Sequence, residues 1–218
     1  MTDINVAIAD DHKIFRKGVI ISLRHYSHIK FIYEANNGQE LLDKIESNRE
    51  KPDVILMDIK MPVMDGIVTT KYISEKYPHI FVIILTMHED ENFVIHLMEN
   101  GACGYLLKST EPEEIKNAIM DVVKKGCYLN NFVNKILLRR TQNRKKLLPS
   151  LAKDTQISDK EKQVLTSICL EFTSAEIGVK MDISARTVES IKERLMERFG
   201  CKNTAGLVFF AVKNYLID

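Results

Sequence analysis

Three aspartates, a threonine and a lysine stand where short apolar runs of this 218-residue chain end. Asp10 and Asp11 follow the run at 4–9, and Asp58 closes Val54-Ile55-Leu56-Met57. Thr86 follows the run at 80–85, and Lys108 follows Ala102-Cys103-Gly104-Tyr105-Leu106-Leu107. Apolar runs this short, without helical spacing, read as strands buried on both faces. In open α/β sheets, ligands bind outside the carboxyl ends of the strands. The five side chains therefore fall on one sheet edge and can share a pocket. Three crowded carboxylates repel one another unless a hard cation intervenes, and an all-oxygen donor set suits Mg2+. An aspartate beside such a cation and an ammonium group is suited to accept a phosphoryl group, because both neutralise charge on what is transferred. The Thr86 hydroxyl could donate to a phosphoryl oxygen. Singly, each residue has a bland reading: Asp10 or Asp11 as a helix cap, Thr86 as a strand end, Lys108 as a solvated charge. Their joint placement at four strand ends is what singles them out.

The elements that must position them alternate along the chain. Ile14, Phe15, Val19, Ile20 and Leu23 recur at helical spacing, and 29–35 reads as a second strand. Asn37-Gly38-Gln39-Glu40 opens a helix whose apolar positions are Leu41, Leu42 and Ile45. Pro62 and Gly66 punctuate the loop after Asp58, and a helix follows. Another helix spans about 91–99. Thr110-x-x-Glu113 reads as a capping box with Pro112 early in a helix that Gly126 can end. The fold expected is α/β, a doubly wound parallel sheet of five strands.

Residues 129–153 read as a basic, partly helical linker: Lys135 to Lys146 holds six basic residues and no acid, and Pro149 and Ser150 break any continuing helix. From 154 to 218 only helical signals remain. Ser158-x-x-Glu161 and Thr173-x-x-Glu176 are capping boxes, the first before Val164, Leu165 and Ile168. Ser184 caps a helix carrying Val188, Ile191, Leu195 and Phe199 and stopped by Gly200; Asn203 caps a last one through Leu207, Phe210, Ala211 and Val212. An all-α domain of four short helices, two separated only by Met181-Asp182-Ile183, fits a helix-turn-helix module.

Charge divides the chain in the same way. Residues 1–128 carry 15 Lys/Arg against 20 Asp/Glu, a net of −5, while 129–218 carry 16 against 10, a net of +6. An acidic half joined to a basic half suggests that the second touches a polyanion. No apolar run approaches a membrane span, and the start lacks the pattern of a signal peptide, so a cytoplasmic protein is expected. Cys103, Cys127, Cys169 and Cys201 are scattered and read as buried free thiols. The six histidines show no metal-ligand spacing.

The combination Asp10-Asp11, Asp58 with Met61-Pro62-x-Met64-Asp65-Gly66, Thr86, and Gly101-Ala102-x-Gly104-Tyr105-Leu106-Leu107-Lys108 resembles, over 4–125, the receiver domain of two-component response regulators, a CheY-like fold, and implies a receiver domain at 1–128. The resemblance implies that Asp58 accepts a phosphoryl group from a sensor histidine kinase. It also implies that Asp11, Asp58 and the backbone carbonyl of Lys60 ligate Mg2+ with help from Asp10. Lys108 would pair with the phosphoryl group, and Thr86 and Tyr105 would form a switch pair. Residues 157–217 resemble the helix-turn-helix domain of the NarL/FixJ (LuxR-type) regulators. The carrying residues are Ile157-Ser158-x-Lys160-Glu161-x-x-Val164-Leu165, Ser174-x-Glu176-Ile177, Ile183-Ser184-x-x-Thr187-Val188 and Phe199-Gly200-x-Lys202-Asn203. Arg186, Thr187, Ser190, Lys192 and Arg194 are then expected to face double-stranded DNA, with Lys202 towards phosphate. Glu189 stands where the family commonly has a basic residue. Residues 147–218 carry 10 basic and 10 acidic residues, so one module binds weakly and a homodimer on activation becomes part of the mechanism.

The resulting expectation is a phosphorylation-dependent transcription factor, a phosphoacceptor rather than a turnover enzyme. The main rival is a phosphorelay switch whose helical module binds protein instead of DNA. A Mg2+-dependent phosphatase with Asp58 as nucleophile is a weaker one, because Asp10 and Asp11 are adjacent rather than spaced Asp-x-Asp.

Overall fold

The computed structural model describes residues 3–87, 91–135, 157–214 and 216–217. Five parallel strands, β1 (Ile4–Ala9), β2 (Ile29–Ala35), β3 (Val54–Asp58), β4 (Phe81–Thr86) and β5 (Gly104–Leu107), lie in the order β2-β1-β3-β4-β5. Helices α1 (Lys13–Leu23), α2 (Gly38–Ser47), α3 (Gly66–Lys76), α4 (Glu91–Glu99) and α5 (Pro112–Lys125) connect them and close the half. The order reverses between β1 and β3, so the chain leaves these neighbours towards opposite faces and opens a crevice at their carboxyl ends. That crevice receives Asp10, Asp11 and Asp58.

Strands β1, β3, β4 and β5 are buried on both faces because successive side chains point to opposite layers, whereas in the edge strand β2 only Ile29 and Ala35 are buried. Val6, Ile8, Leu56 and Leu106 pack with Val19, Leu23, Ile115, Ile119 and Val122 of α1 and α5. Ala7, Ile55, Met57, Ile84 and Tyr105 face the opposite layer with Leu41, Ile73, Val94 and Leu97. This second layer continues without a break through Leu129 and Val133 into Leu165, Ile191 and Val208 of the helical module.

Three local expectations are corrected. Ile14 is 91% exposed, and the buried face of α1 is Arg16, Val19 and Leu23. Arg16 goes inside because its guanidinium is fully engaged: it donates to the Asp10 carbonyl, to Asn36 Oδ1 at 3.1 Å and to Glu34 Oε2 at 3.3 Å. Thr110 caps nothing, since Pro112 takes the first helical position and makes Glu111 the N-cap, without a side-chain hydrogen bond. The fifth strand begins at Gly104 rather than Ala102.

Residues 131–135 are helical, α6; the rest of the expected linker, 136–153, lies outside the described residues. Four helices follow: α7 (Asp159–Cys169), α8 (Ser174–Met181), α9 (Ala185–Phe199) and α10 (Thr204–Lys213). Both capping boxes close reciprocally, Ser158 with Glu161 and Thr173 with Glu176. Asp182 at φ 52° makes the turn between α8 and α9. A Cβ on Gly178 would sit 2.7 Å from the Ile183 carbonyl, so glycine lets that turn fold back on α8. Among the described residues, no helix is long and apolar enough to cross a membrane.

The two halves touch. The helix α10 packs on α4, and Asn203, whose Oδ1 caps α10 through the Gly206 N–H at 2.8 Å, donates from Nδ2 to the Gly101 carbonyl at 2.7 Å. All four cysteines are free thiols. Cys103 and Cys127 are buried near this junction, and burial pushes their pKa values up to about 11 and about 12.

Candidate functional site

Asp58 ends β3 with its side chain 7% exposed. One carboxylate oxygen accepts the N–H of Ile59 at 2.8 Å and the other accepts Lys108 Nζ at 2.7 Å. Lys108 follows β5, its N–H bonded to the Thr86 carbonyl at 2.7 Å. Its side chain, 7% exposed, passes over the Phe15 ring, with Nζ 4.9 Å from the centroid. The same Nζ lies 2.8 Å from Asp10 Oδ2, an ion pair that lacks hydrogen-bond geometry. Asp10 is 1% exposed; its other oxygen accepts the His12 N–H at 2.8 Å. The loop after Asp58 is drawn tight by Gly66, whose N–H bonds the Ile59 carbonyl at 2.8 Å. A Cβ there would lie 2.0 Å from the Asp58 carbonyl oxygen.

The aspartates thus meet as expected, and sequence reasoning missed one neighbour. His12 Nδ1 is 2.8 Å from Asp11 Oδ1 and 3.4 Å from Asp10 Oδ1. Asp10, Asp11, His12 and Asp58 present ligand atoms all within 4.8 Å of one another, enough to hold a metal ion. What fits a cation here is the excess of carboxylates: buried Asp10 Oδ2 has the Lys108 ammonium at 2.8 Å but no hydrogen bond of its own, and it shares that ammonium with Asp58. Thr86 and Tyr105 are fully buried on adjacent strands, at positions paired with Leu107 and Ile84 respectively. Lys60 is exposed two residues beyond Asp58.

Burial raises the Asp58 pKa above the ordinary aspartate value; the Lys108 hydrogen bond opposes the rise and the Asp10 charge adds to it. For Lys108 burial works downward, and the two carboxylates outweigh it, so its pKa is raised and the ammonium is held charged. Two buried carboxylates therefore share one cation, leaving the pocket short of positive charge. Mg2+ added to metal-free protein should raise its unfolding temperature. At ten times the dissociation constant the gain is about 1.4 kcal/mol, or roughly 3–5 °C for a chain of this size. Calorimetry of the wild type and Asp11→Ala checks this; an unchanged melting temperature in the wild type would remove the cation from the site.

In the helical half, Val188, Ile191 and Leu195 bury one face of α9. Arg186, Thr187, Ser190 and Arg194 line an open concavity with Ser184 and with Lys160 of α7, a basic residue not among those expected to face DNA. Two further residues expected to face DNA, Lys192 and Lys202, do not line that concavity. Lys192, 14% exposed, pairs with Glu189 at 2.5 Å, and both line a crevice against Asp121, Lys124 and Lys125 of the other half. Lys202 reaches Glu75 of α3 at 2.8 Å. In this arrangement each ammonium is paired with a partly exposed carboxylate, a weak surface ion pair that a phosphate can replace. Glu189 also accepts the Ser174 hydroxyl, so its charge is absorbed within the fold.

Comparison with known proteins divides the chain at the same place. Residues 6–120 match the response regulator receiver domain, and residues 155–211 match the bacterial regulatory proteins of the luxR family. The oxygen regulatory protein NreC of Staphylococcus haemolyticus is 32% identical over 98% of this chain and 99% of its own length. NreC of Staphylococcus aureus strain JH9 is 31% identical, covering 98% and 99%. Among solved structures, RcsB of Salmonella enterica serovar Typhimurium bound to promoter P1flhDC with phosphomimetic BeF3- is 26% identical. It matches with TM-score 0.57 over 97% of this chain and 99% of RcsB. The response regulator ChrA of a heme-sensing two-component system matches with TM-score 0.52 and 26% identity, covering all of both chains.

Proposed function

Since the chain belongs to the response regulators that join a receiver domain to a LuxR-family DNA-binding domain, we propose that phosphorylation of Asp58 controls how it binds promoters. The observation that carries this reading is the ammonium of Lys108 held 2.7 Å from Asp58 and 2.8 Å from Asp10 at the mouth of β3. An Asp58 carboxylate oxygen attacks the phosphorus of a sensor kinase's phosphohistidine; the P–N bond breaks and an aspartyl phosphate forms. Lys108, released from one carboxylate, pairs with the new phosphoryl oxygens, and the Thr86 hydroxyl donates to another. Asp10, Asp11, Asp58 and the backbone carbonyl of Lys60 would hold Mg2+, which offsets charge on the transferring group. Tyr105 moves with Thr86 as the switch. The protein is a phosphoacceptor, not a turnover enzyme.

Dimerisation completes the mechanism. A neutral module with few phosphate contacts gains from binding a two-fold site in pairs. A solved relative supports this step, being described as two RcsB dimers bound to two parallel DNAs.

The test is selection of genomic DNA fragments by the full chain in Mg2+, with and without fluoroberyllate, using Asp58→Ala as control. A palindromic motif enriched with the mimic and lost in the variant is the expected result. No enrichment in any state leaves a receiver joined to a protein-binding module. On the selected fragment, Arg186→Ala and Arg194→Ala should each weaken binding by about 1–3 kcal/mol if they read bases, or lower the salt slope by about one if they hold phosphate. Lys192→Ala should do neither while its ammonium stays paired with Glu189.

A further inference from the structure

The segment after α5 does not simply leave the sheet. Tyr128 donates its N–H to the Cys103 carbonyl at 2.8 Å and bridges Gly104 in parallel, so the chain lies along the outer edge of β5. Two residues on, the Asn130 side chain takes over that role: Nδ2 donates to the Tyr105 carbonyl at 3.0 Å. Its Oδ1 accepts the Val133 N–H at 2.9 Å and starts α6. Phe132 of α6 lies tilted against the Tyr105 ring, the centroids 6.2 Å apart. Leu129 and Val133 are buried beside it. Asn134 then reaches Glu171 of the helical module at 3.5 Å, and the Glu171 carboxylate is also 3.8 Å from Lys125.

The strand held in this way is four residues long. Immediately after it comes Lys108, whose ammonium is shared by Asp58 and Asp10. One short edge strand therefore has the pocket's cation at one end and the linker's grip at the other. A packed strand of this length shifts as a unit, because close-packed cores change between discrete arrangements rather than by smooth deformation.

We infer that Asn130 and Phe132 are the residues by which the linker reads the state of the Asp58 pocket, through their hold on the backbone and ring of Tyr105. The inference rests on the phosphorylation proposed above. Movement of Lys108 towards a phosphoryl group displaces β5, and α6 follows because its cap and its aromatic residue are fixed to Tyr105. The displacement then arrives at Glu171 and the end of α7.

The test is amide hydrogen exchange across residues 127–135 of the full chain in Mg2+, with and without fluoroberyllate, whose binding is followed separately by 19F NMR. In the wild type, exchange in this segment should change by at least about fivefold when the mimic binds. In Phe132→Ala and Asn130→Ala the mimic should still bind, yet exchange in the segment should no longer respond. Phe132→Leu, which keeps an apolar contact, should retain part of the response and serves if the alanine variant unfolds. By reciprocity, uncoupling should also shift the apparent affinity for fluoroberyllate. Bound mimic with unchanged exchange at 127–135 in the wild type would overturn the inference alone, as would a full response in a folded Phe132→Ala. Absence of any bound mimic would overturn the phosphorylation reading, and the inference with it.

Discussion

Asp58→Ala is expected to lose phosphorylation altogether and, at the same time, to make the protein harder to unfold. The first effect follows from the proposed chemistry: Asp58 is the only carboxylate bonded to the Lys108 ammonium with hydrogen-bond geometry among the described residues, and its oxygen is the proposed nucleophile. Labelling by a small phosphodonor should fall at least about a hundredfold, to the background of incidental sites. The second effect follows from the sign of the pKa shift. Burial raises the Asp58 carboxyl above its unfolded value. A group shifted in that direction favours the folded state below the unfolded pKa, and the contribution is lost as pH rises. At neutral pH the ionised carboxylate therefore works against the fold. Its removal should stabilise metal-free protein at pH 7.5, with the gain shrinking as pH falls through the raised Asp58 value and gone below the unfolded value of about 4. Melting curves in EDTA at both pH values check this. A destabilised variant at pH 7.5 would mean that the Lys108 pairing outweighs the burial.

Gly66→Ala should be among the most damaging small changes in the receiver. The added methyl would lie 2.0 Å from the Asp58 carbonyl, 2.9 Å from Ile59 Cα and 3.0 Å from the Asp58 carbonyl carbon. These are backbone atoms of the strand end that aims the phosphoacceptor, so no side-chain rotation relieves the contact. Either α3 or the 58–66 loop must move, at a cost of about 3 kcal/mol or more. Both halves of the prediction are measurable: a fall in melting temperature of about 6–10 °C, and a phosphorylation rate lower than in Gly18→Ala, whose Cβ would meet nothing within 4 Å. Wild-type phosphorylation in a folded Gly66→Ala would show that the loop can be rebuilt without moving Asp58.

Much of this protein is legible in one dimension because the signals are local. Strand ends, glycine stops and capping boxes depend on residues within about four positions of one another. Ser158–Glu161, Thr173–Glu176, Gly126 and Gly200 accordingly behave as their spacing predicts. The pocket was legible for a related reason: a parallel sheet brings every strand's carboxyl end to one edge, so Asp10, Asp58 and Lys108 converge whatever the details of packing. Where local signals compete, spacing alone misleads. Thr110 had the form of a cap, yet Pro112 moved the helix start past it.

What the tertiary structure decided is which charges find partners. Arg16 looks like a surface residue on α1, and it is buried because Asp10 from the end of β1, and Glu34 and Asn36 from the end of β2, arrive to receive it. His12 became part of the acidic cluster by the turn at the end of β1, with no metal-ligand spacing to announce it. Spacing gave no sign that Lys192 lines a crevice against the receiver or that Lys202 reaches Glu75 of α3. The hold of Asn130 and Phe132 on Tyr105 spans about 25 residues and depends on α5 returning the chain to the edge of β5. The sequence by itself determined the elements and the chemistry at their ends, since propensity, capping and strand polarity act over a few residues. Which ammonium stays open to a ligand, and which segment senses the pocket, was left to packing, because an ion pair forms only with whatever the folded chain brings within reach.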